Sequence, residues 1–360
     1  MNKKVGIGVI GTGFARRTQI PAFNAIEQAE IVSVTSGRME NAESTAQEFG
    51  IPHFSSDWTE TVEHPDVDLV CITTPPDLHL AMTLASIKNG KHVLCEKPMA
   101  MNTAQAVEME DAALNSGLMA LIDHELRFTN GRLEGFRMIR EGAIGKIRHI
   151  KYLFRNSARG DSSLPWTWWS DVEKGGGTLG AIVSHVIDSI HWFTGVGVSS
   201  VDCRLRTHIT ERPFEGALRR VTTDDEAILI LDLEEGELTE NPSASISASM
   251  VEAGPYRNRI ELYGTKGAIR IEDGGEVYRA DMGNNDWTQH HLDLGKTAPG
   301  MQPGGWSKGF TKLSELIVEA LLAGRNQVKH AANFEDGVRI QRVLDAARES
   351  NKNSRIVRVS

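Results

Sequence analysis

The chain lacks most of what marks a membrane, secreted or nucleic-acid-binding protein. It has only three cysteines in 360 residues, Cys71, Cys95 and Cys203. They are too widely spaced for a zinc motif, and the first two fall in apolar strand-like runs, so they read as reduced core residues. No stretch approaches the roughly 20 apolar residues that a bilayer span needs. The N-terminal apolar run is short, breaks at glycines and has no small-residue cleavage site, so a cytoplasmic location is expected, with no membrane partner. There is no dense Lys/Arg block, and with a net charge of -9 nucleic acid is not an expected partner. No His/Cys cluster has ligand spacing, so no metal is expected. Repeats and low-complexity segments are absent.

What is present is a chain that is 40% hydrophobic and long enough for two domains. Up to His124, short β-branched runs alternate with helical stretches, the pattern of parallel strands joined by crossover helices. The strands are expected at Val5–Ile10, Ile31–Thr35, Leu69–Thr73, His92–Cys95 and Leu118–Ile122. Helices are expected at Ala42–Phe49, Leu78–Asn89 and Thr103–Ser116, the last two ended by Gly90 and Gly117.

Beyond about residue 145 longer alternating segments take over: Ile147–Phe154, Val201–Thr210, Ala227–Leu233, Ser243–Met250 and Arg259–Tyr263. They suit strands with two unlike faces. Helices are expected at Gly131–Arg140, Leu179–Thr194, Ser307–Leu322 and Phe334–Ser350. The expected fold class is α/β: a doubly wound Rossmann domain over residues 1–124, then an α+β domain over 125–360 with a large open, mostly antiparallel sheet.

The first strand runs directly into Gly11-Thr12-Gly13-Phe14-Ala15-Arg16. Gly11 permits a tight turn and Gly13 lets the backbone approach a pyrophosphate. The third fingerprint position is Arg16 instead of Gly or Ala, so helix packing there must differ. The second strand ends in Thr35-Ser36-Gly37-Arg38. An NAD site usually has Asp or Glu here for the ribose hydroxyls, whereas Ser36 and Arg38 offer a hydroxyl and a cation for a 2′-phosphate. NADP is therefore slightly favoured over NAD, with Arg38 as a solvated helix-start residue the alternative.

Several further motifs occur in order: Thr73-Thr74-Pro75-Pro76-Asp77-Leu78-His79, then Gly90-Lys91-His92-Val93-Leu94-Cys95-Glu96-Lys97-Pro98. Gly175-Gly176-Gly177 precedes His185, and Phe334-Glu335-Asp336-Gly337 comes late. Together with the glycine turn they resemble the glucose-fructose oxidoreductase and inositol dehydrogenase family over nearly the whole chain. The resemblance implies nicotinamide-dependent redox chemistry on sugars, cyclitols or related molecules. It also implies a second domain whose sheet serves oligomerisation, so a homodimer or homotetramer is expected. Thr73, Thr74, Pro75, His79, Glu96 and Lys97 are expected at the cofactor, with Gly11, Thr12, Gly13 and Phe14.

The resemblance gives Lys97 the catalytic place. An ammonium beside a substrate hydroxyl can donate or accept the proton that accompanies hydride transfer. Glu96 either orients Lys97, contacts the cofactor or forms a plain salt bridge. His185 is the second catalytic candidate. On a helix it shares a face with Asp188, a candidate substrate ligand, while Leu179, Ile182, Val183, Val186 and Ile190 form an apolar stripe. The family usually carries Asp four residues before this His, and here that residue is Ala181. His185 and Lys97 must then act together, or Asp188 must take over part of the role.

Trp166 and Trp168, in an apparent loop, either stack on sugar C–H faces or pack against the domain. His124 and Arg127 lie at the expected domain junction and are substrate-binding candidates, with an interdomain salt bridge the alternative for Arg127. The leading expectation is oxidation of a secondary alcohol, or reduction of the ketone, on a sugar, cyclitol or sugar derivative. The alternatives are a retained-NAD enzyme that performs elimination or glycosidic cleavage through transient oxidation, and a non-catalytic NAD(P)-sensing regulator.

Overall fold

The computed structural model describes residues 4–360. They form two compact units, one made of residues up to Thr129 with Gly295–Val338, the other of Asn130–Leu294 with Arg339–Ser360.

In the first unit, strands β1 (Val5–Ile10), β2 (Ala29–Thr35), β3 (His53–Ser55), β4 (Leu69–Ile72), β5 (His92–Cys95) and β6 (Ala120–Ile122) alternate with helices α1 (Gln19–Asn24), α2 (Met39–Phe49), α3 (Thr59–Glu63), α4 (His79–Lys88) and α5 (Thr103–Ser116). The sheet order is β3-β2-β1-β4-β5-β6, all parallel. Strand order reverses between β1 and β4, the place where open α/β sheets bind ligands at their carboxyl edge. Every residue of β1 and β4 is buried, as expected of strands covered on both faces. One face packs Ile7, Val9, Phe23 and Leu69, the other Ile10, Val70, Ile72 and Met109. α5 starts with a reciprocal cap: Asn102 accepts from the Gln105 N–H, and Gln105 accepts from that of Met101. Gly90 and Gly117 take the expected left-handed caps.

The expected single boundary at residue 124 needs correction. The strand Ala332–Asn333 pairs antiparallel with β6, and the helix Gly305–Leu322 lays Phe310, Leu313 and Ile317 into the first core. Phe310 meets Phe23 edge-on, with ring centroids 5.8 Å apart. Residues 295–338, expected in the second domain, thus complete the first.

In the second unit, α6 (Asn130–Arg140), β7 (Ile147–Arg155) and α7 (Ser184–Thr194) precede β8 (Val198–Arg206), β9 (Glu211–Phe214), β10 (Ala217–Arg220), β11 (Glu226–Leu233), β12 (Thr239–Ser249), β13 (Arg257–Gly264), β14 (Gly267–Ile271), β15 (Val277–Asp281) and β16 (Thr288–His290). Eight of these build the sheet β16-β15-β14-β13-β7-β12-β11-β8, with Val357–Arg358 added beyond β8; β9 and β10 form a separate hairpin. All neighbours in the large sheet are antiparallel except β7 and β12. Alternation along β11 buries Ala227, Leu229 and Leu231 and exposes Ile228 and Ile230. The three cysteines are free and buried, as expected. No helix among the described residues is long and apolar enough to cross a membrane.

Candidate active site

The carboxyl edge of the first sheet gathers most of the expected cofactor residues. Gly11 follows β1 with φ +98°, and a Cβ there would stand 2.7 Å from the Thr73 carbonyl oxygen. Only glycine fits this turn. A Cβ at Gly13 would meet nothing within 4 Å, so the loop leaves open space where a phosphate must approach backbone. Thr12 Oγ1 donates to Ser36 Oγ at 3.3 Å, tying the turn to the end of β2. Arg38 is exposed and makes no ion pair among the described residues. The donor set therefore fits a dinucleotide: open backbone at Gly13 for a pyrophosphate, with the Ser36 hydroxyl and the exposed Arg38 cation just after β2.

Arg16 explains the broken fingerprint. The first helix is interrupted: a 3-10 turn over Ala15–Arg17 precedes α1, and Arg16 points outward to pair with Glu48 of α2. No strand-facing glycine is needed there.

Two of the expected cofactor residues make contacts within the protein that brace the loops around them. Thr73 Oγ1 donates to the carbonyls of Gly11 (2.7 Å) and Ile10 (3.1 Å), bracing the glycine turn. His79, expected at the cofactor, is fully buried: its Nδ1 lies 3.1 Å from the Pro98 carbonyl oxygen and its Nε2 2.9 Å from that of Thr74. It joins the loops after β4 and β5. Burial lowers its proton affinity despite these carbonyls. Thr74 Oγ1 sits 3.4 Å from Met82 Sδ, and Pro75 leads into the turn before α4.

Beyond β5, Glu96 is buried and Lys97 only partly accessible, and the Lys97–Pro98 peptide is cis. Lys97 Nζ stands 3.8 Å from Glu96 Oε2 and 6.0 Å from the Phe14 ring centre. Glu96 thus acts as the counter-ion of Lys97. Behind it lie residues that sequence reasoning missed: Gln19, Asp123 and Glu125, all buried. Gln19 Nε2 donates to both Glu96 Oε1 (3.1 Å) and Asp123 Oδ2 (3.0 Å). Burial raises the proton affinity of Glu96 although Lys97 opposes it, and raises that of Asp123 well above the ordinary range, helped by the charges of Glu125 and Glu96.

His124 is buried beside this group. Burial, then the charges of Arg127 and Lys97, push it well below the usual histidine range, so it is a neutral imidazole. Arg127, a substrate-binding candidate, is paired within the first unit: its Nη1 donates to Asp336 Oδ2 (3.2 Å) and to the His330 carbonyl (3.3 Å). Its ion pair is not interdomain, because residues 330 and 336 belong to the returning segment.

The second unit holds the other candidates. Leu179–Val183 is a π-helical turn containing buried Ala181, and α7 continues it. His185 and Asp188 lie within one α-helical turn of each other, as expected. All eleven residues of α7 are buried, however, so the expected apolar stripe with a polar face is replaced by a helix enclosed on every side. A carboxylate that sequence reasoning missed caps its start: Asp224 Oδ2 accepts the Leu179 N–H at 2.7 Å. Burial pushes this carboxyl up to about 6. The triple glycine is explained here, since a Cβ at Gly176 would lie 2.4 Å from the Trp169 carbonyl oxygen and one at Gly177 2.5 Å from Asp224 Oδ1.

Trp166 donates from Nε1 to the Arg220 carbonyl and carries the Arg219 guanidinium 3.6 Å from its ring centre. Trp168 tilts against Trp169 at 5.9 Å. Both tryptophans thus have packing partners in the second unit, the alternative weighed against sugar stacking.

Residues 5–124 match the oxidoreductase family with an NAD-binding Rossmann fold, and residues 136–270 match the C-terminal domain of the same family. An uncharacterised oxidoreductase of Synechocystis is 30% identical over 266 residues, 73% of this chain and 70% of its own. The chain belongs to the glucose-fructose oxidoreductase and inositol dehydrogenase family. It is an NAD(P)-dependent oxidoreductase of the class that acts on CH–OH groups. Levoglucosan dehydrogenase of Pseudarthrobacter phenanthrenivorans is 30% identical over 294 residues, 74% of this chain and 73% of its own. A levoglucosan dehydrogenase structure in complex with NADH and L-sorbose superposes with a TM-score of 0.87 at 25% identity, covering 99% of both chains.

Proposed function

We propose that this family member reversibly oxidises a secondary alcohol of a sugar, cyclitol or sugar derivative, with Lys97 as the proton carrier. The observation that carries the reading is Lys97 Nζ at the sheet's carboxyl edge, 3.8 Å from its counter-ion Glu96, on the same edge as the glycine turn. Similarity to levoglucosan dehydrogenase supports the substrate class. The nicotinamide, when bound, supplies the hydride acceptor or donor. Gly11 and Gly13 hold the pyrophosphate, and Ser36 and Arg38 hold the ribose 2′ substituent, favouring NADP. Lys97 takes the hydroxyl proton at Nζ, while Glu96 fixes the ammonium that results. Neutral His124 adds no charge beside it. His185 is the second catalytic candidate and Asp188 the candidate substrate ligand beside it on α7, without the carboxylate usual at position 181.

The test is a screen of sugars, sugar acids, anhydrosugars and inositols with NAD and NADP, on the wild type and Lys97→Met. Loss of general acid–base help is expected to lower kcat by about 10³-fold while cofactor affinity holds. Turnover retained in Lys97→Met overturns the reading. Product formed without net change in nicotinamide absorbance replaces it with elimination or glycosidic cleavage. Cofactor binding with no turnover on any substrate replaces it with a sensor.

A further inference from the structure

We infer that Asp123 is a positioning residue: it stays neutral, donates a hydrogen bond to Glu96, and so keeps Glu96 ionised against the Lys97 ammonium. The assignment rests on the reading of Lys97 as proton carrier.

The geometry follows from sheet register. Cys95 and Ile122 are paired neighbours at the ends of β5 and β6, and the Asp123 N–H donates to the Cys95 carbonyl at 2.8 Å. The next residues, Glu96 and Asp123, are therefore forced side by side. Their carboxyl groups share one Gln19 amide nitrogen, at 3.1 and 3.0 Å. Glu96 is 7% exposed and Asp123 fully buried. Two buried carboxyl groups held on one donor nitrogen oppose each other's ionisation, so one keeps its proton. The surroundings decide which. Lys97 stands against Glu96. Asp123 faces the charges of Glu96 and Glu125, while the thiols of Cys71 and Cys95 near it are themselves pushed up by burial. Neutral His124 offers Asp123 no cation, and Arg127 is engaged by Asp336. A hydrogen bond donated by Asp123 to Glu96 would favour charge on Glu96 and oppose it on Asp123.

A carboxylic acid in this place does two things a carboxylate could not. It satisfies one lone pair of Glu96 without adding a second anion, and it holds the Glu96 side chain toward Lys97. An ammonium that keeps its counter-ion holds its proton more tightly, so Asp123 shapes how readily Lys97 accepts one.

The experiment compares Asp123→Leu, which removes the donor, with Asp123→Asn, which restores a neutral donor of the same shape. Losing the ionised neighbour of Lys97 is expected to move the acid limb of the alcohol-oxidation pH–rate profile down by about one pH unit in Asp123→Leu, and the limb returns in Asp123→Asn. A residue needed only for folding lowers kcat or Tm and leaves the limb in place. Infrared difference spectra give a readout without turnover: the wild type at neutral pH shows a protonated-carboxyl band that Asp123→Asn loses. An unmoved limb in Asp123→Leu, or no band lost in Asp123→Asn, overturns the assignment. If Asp123→Leu does not fold, the infrared comparison decides alone. Lys97→Met separates the two readings: activity retained there overturns the role of Lys97, whereas inactive Lys97→Met beside an unmoved limb in Asp123→Leu overturns only that of Asp123.

Discussion

Replacing Asp224 by asparagine isolates the carboxylate that caps the helix carrying His185. Asp224 titrates near 3.8 when free and at about 6 in the folded protein. The folded state therefore binds its proton more tightly, by about 3 kcal/mol at 1.36 kcal/mol per pH unit. The residue as a whole is only half-buried, so about 2 kcal/mol is the working figure after screening. The sign follows from the direction. A carboxyl raised on folding stabilises fully below its unfolded value, and that stability is lost as pH rises through the folded value. Wild-type stability should fall, from this group alone, between pH 3.8 and about 6. Asparagine keeps an oxygen acceptor for the Leu179 N–H but cannot ionise, so the variant lacks this fall. Urea unfolding followed by tryptophan fluorescence, at steps from pH 4 to 7, gives the difference between the two proteins. It should shift in favour of Asp224→Asn by about 2 kcal/mol across the range. A flat difference would refute both the raised proton affinity and the burial that causes it.

Two other substitutions test assignments made above. Arg127→Met leaves Asp336 without its buried partner, so chemical denaturation should register a loss of about 3 kcal/mol, with substrate KM little changed if the residue only braces the fold; an intact Tm with a large rise in KM would return Arg127 to the substrate site. Arg38→Ala should raise the KM for NADP about tenfold while leaving that for NAD within about twofold, one charge-assisted hydrogen bond to phosphate being worth that much; equal effects on both cofactors would remove Arg38 from the ribose site.

The cofactor half was legible because its parts are local. A buried strand running into Gly11 and Gly13, and the Glu96-Lys97 pair after another strand, declare themselves within a few residues. What was missed is assembled across the chain. Gln19 reaches Asp123 over 104 residues and Arg127 reaches Asp336 over 209, and no spacing rule announces either. His79 was expected at the cofactor because it closes the Thr73–His79 motif of the family resemblance; its two backbone contacts, which brace the loops after β4 and β5, appear only in the fold. The pattern of α7 gave an apolar stripe, but nothing local says that its remaining faces are enclosed as well. Arg16 broke the fingerprint for a reason visible only once the helix is seen to stop at Thr18.

The return of residues 295–338 to the first unit bears on how the protein can be made. A ribosome that has emitted β1 through β6 has not yet supplied Phe310, Leu313 and Ile317, nor the strand that covers the β6 edge. Until the last quarter of the chain emerges, the nascent cofactor domain shows Phe23 and its neighbours to solvent and leaves an open sheet edge, both sticky surfaces. The half of the molecule that begins first is among the last to be finished, and a gene fragment cut after residue 124 encodes an incomplete core.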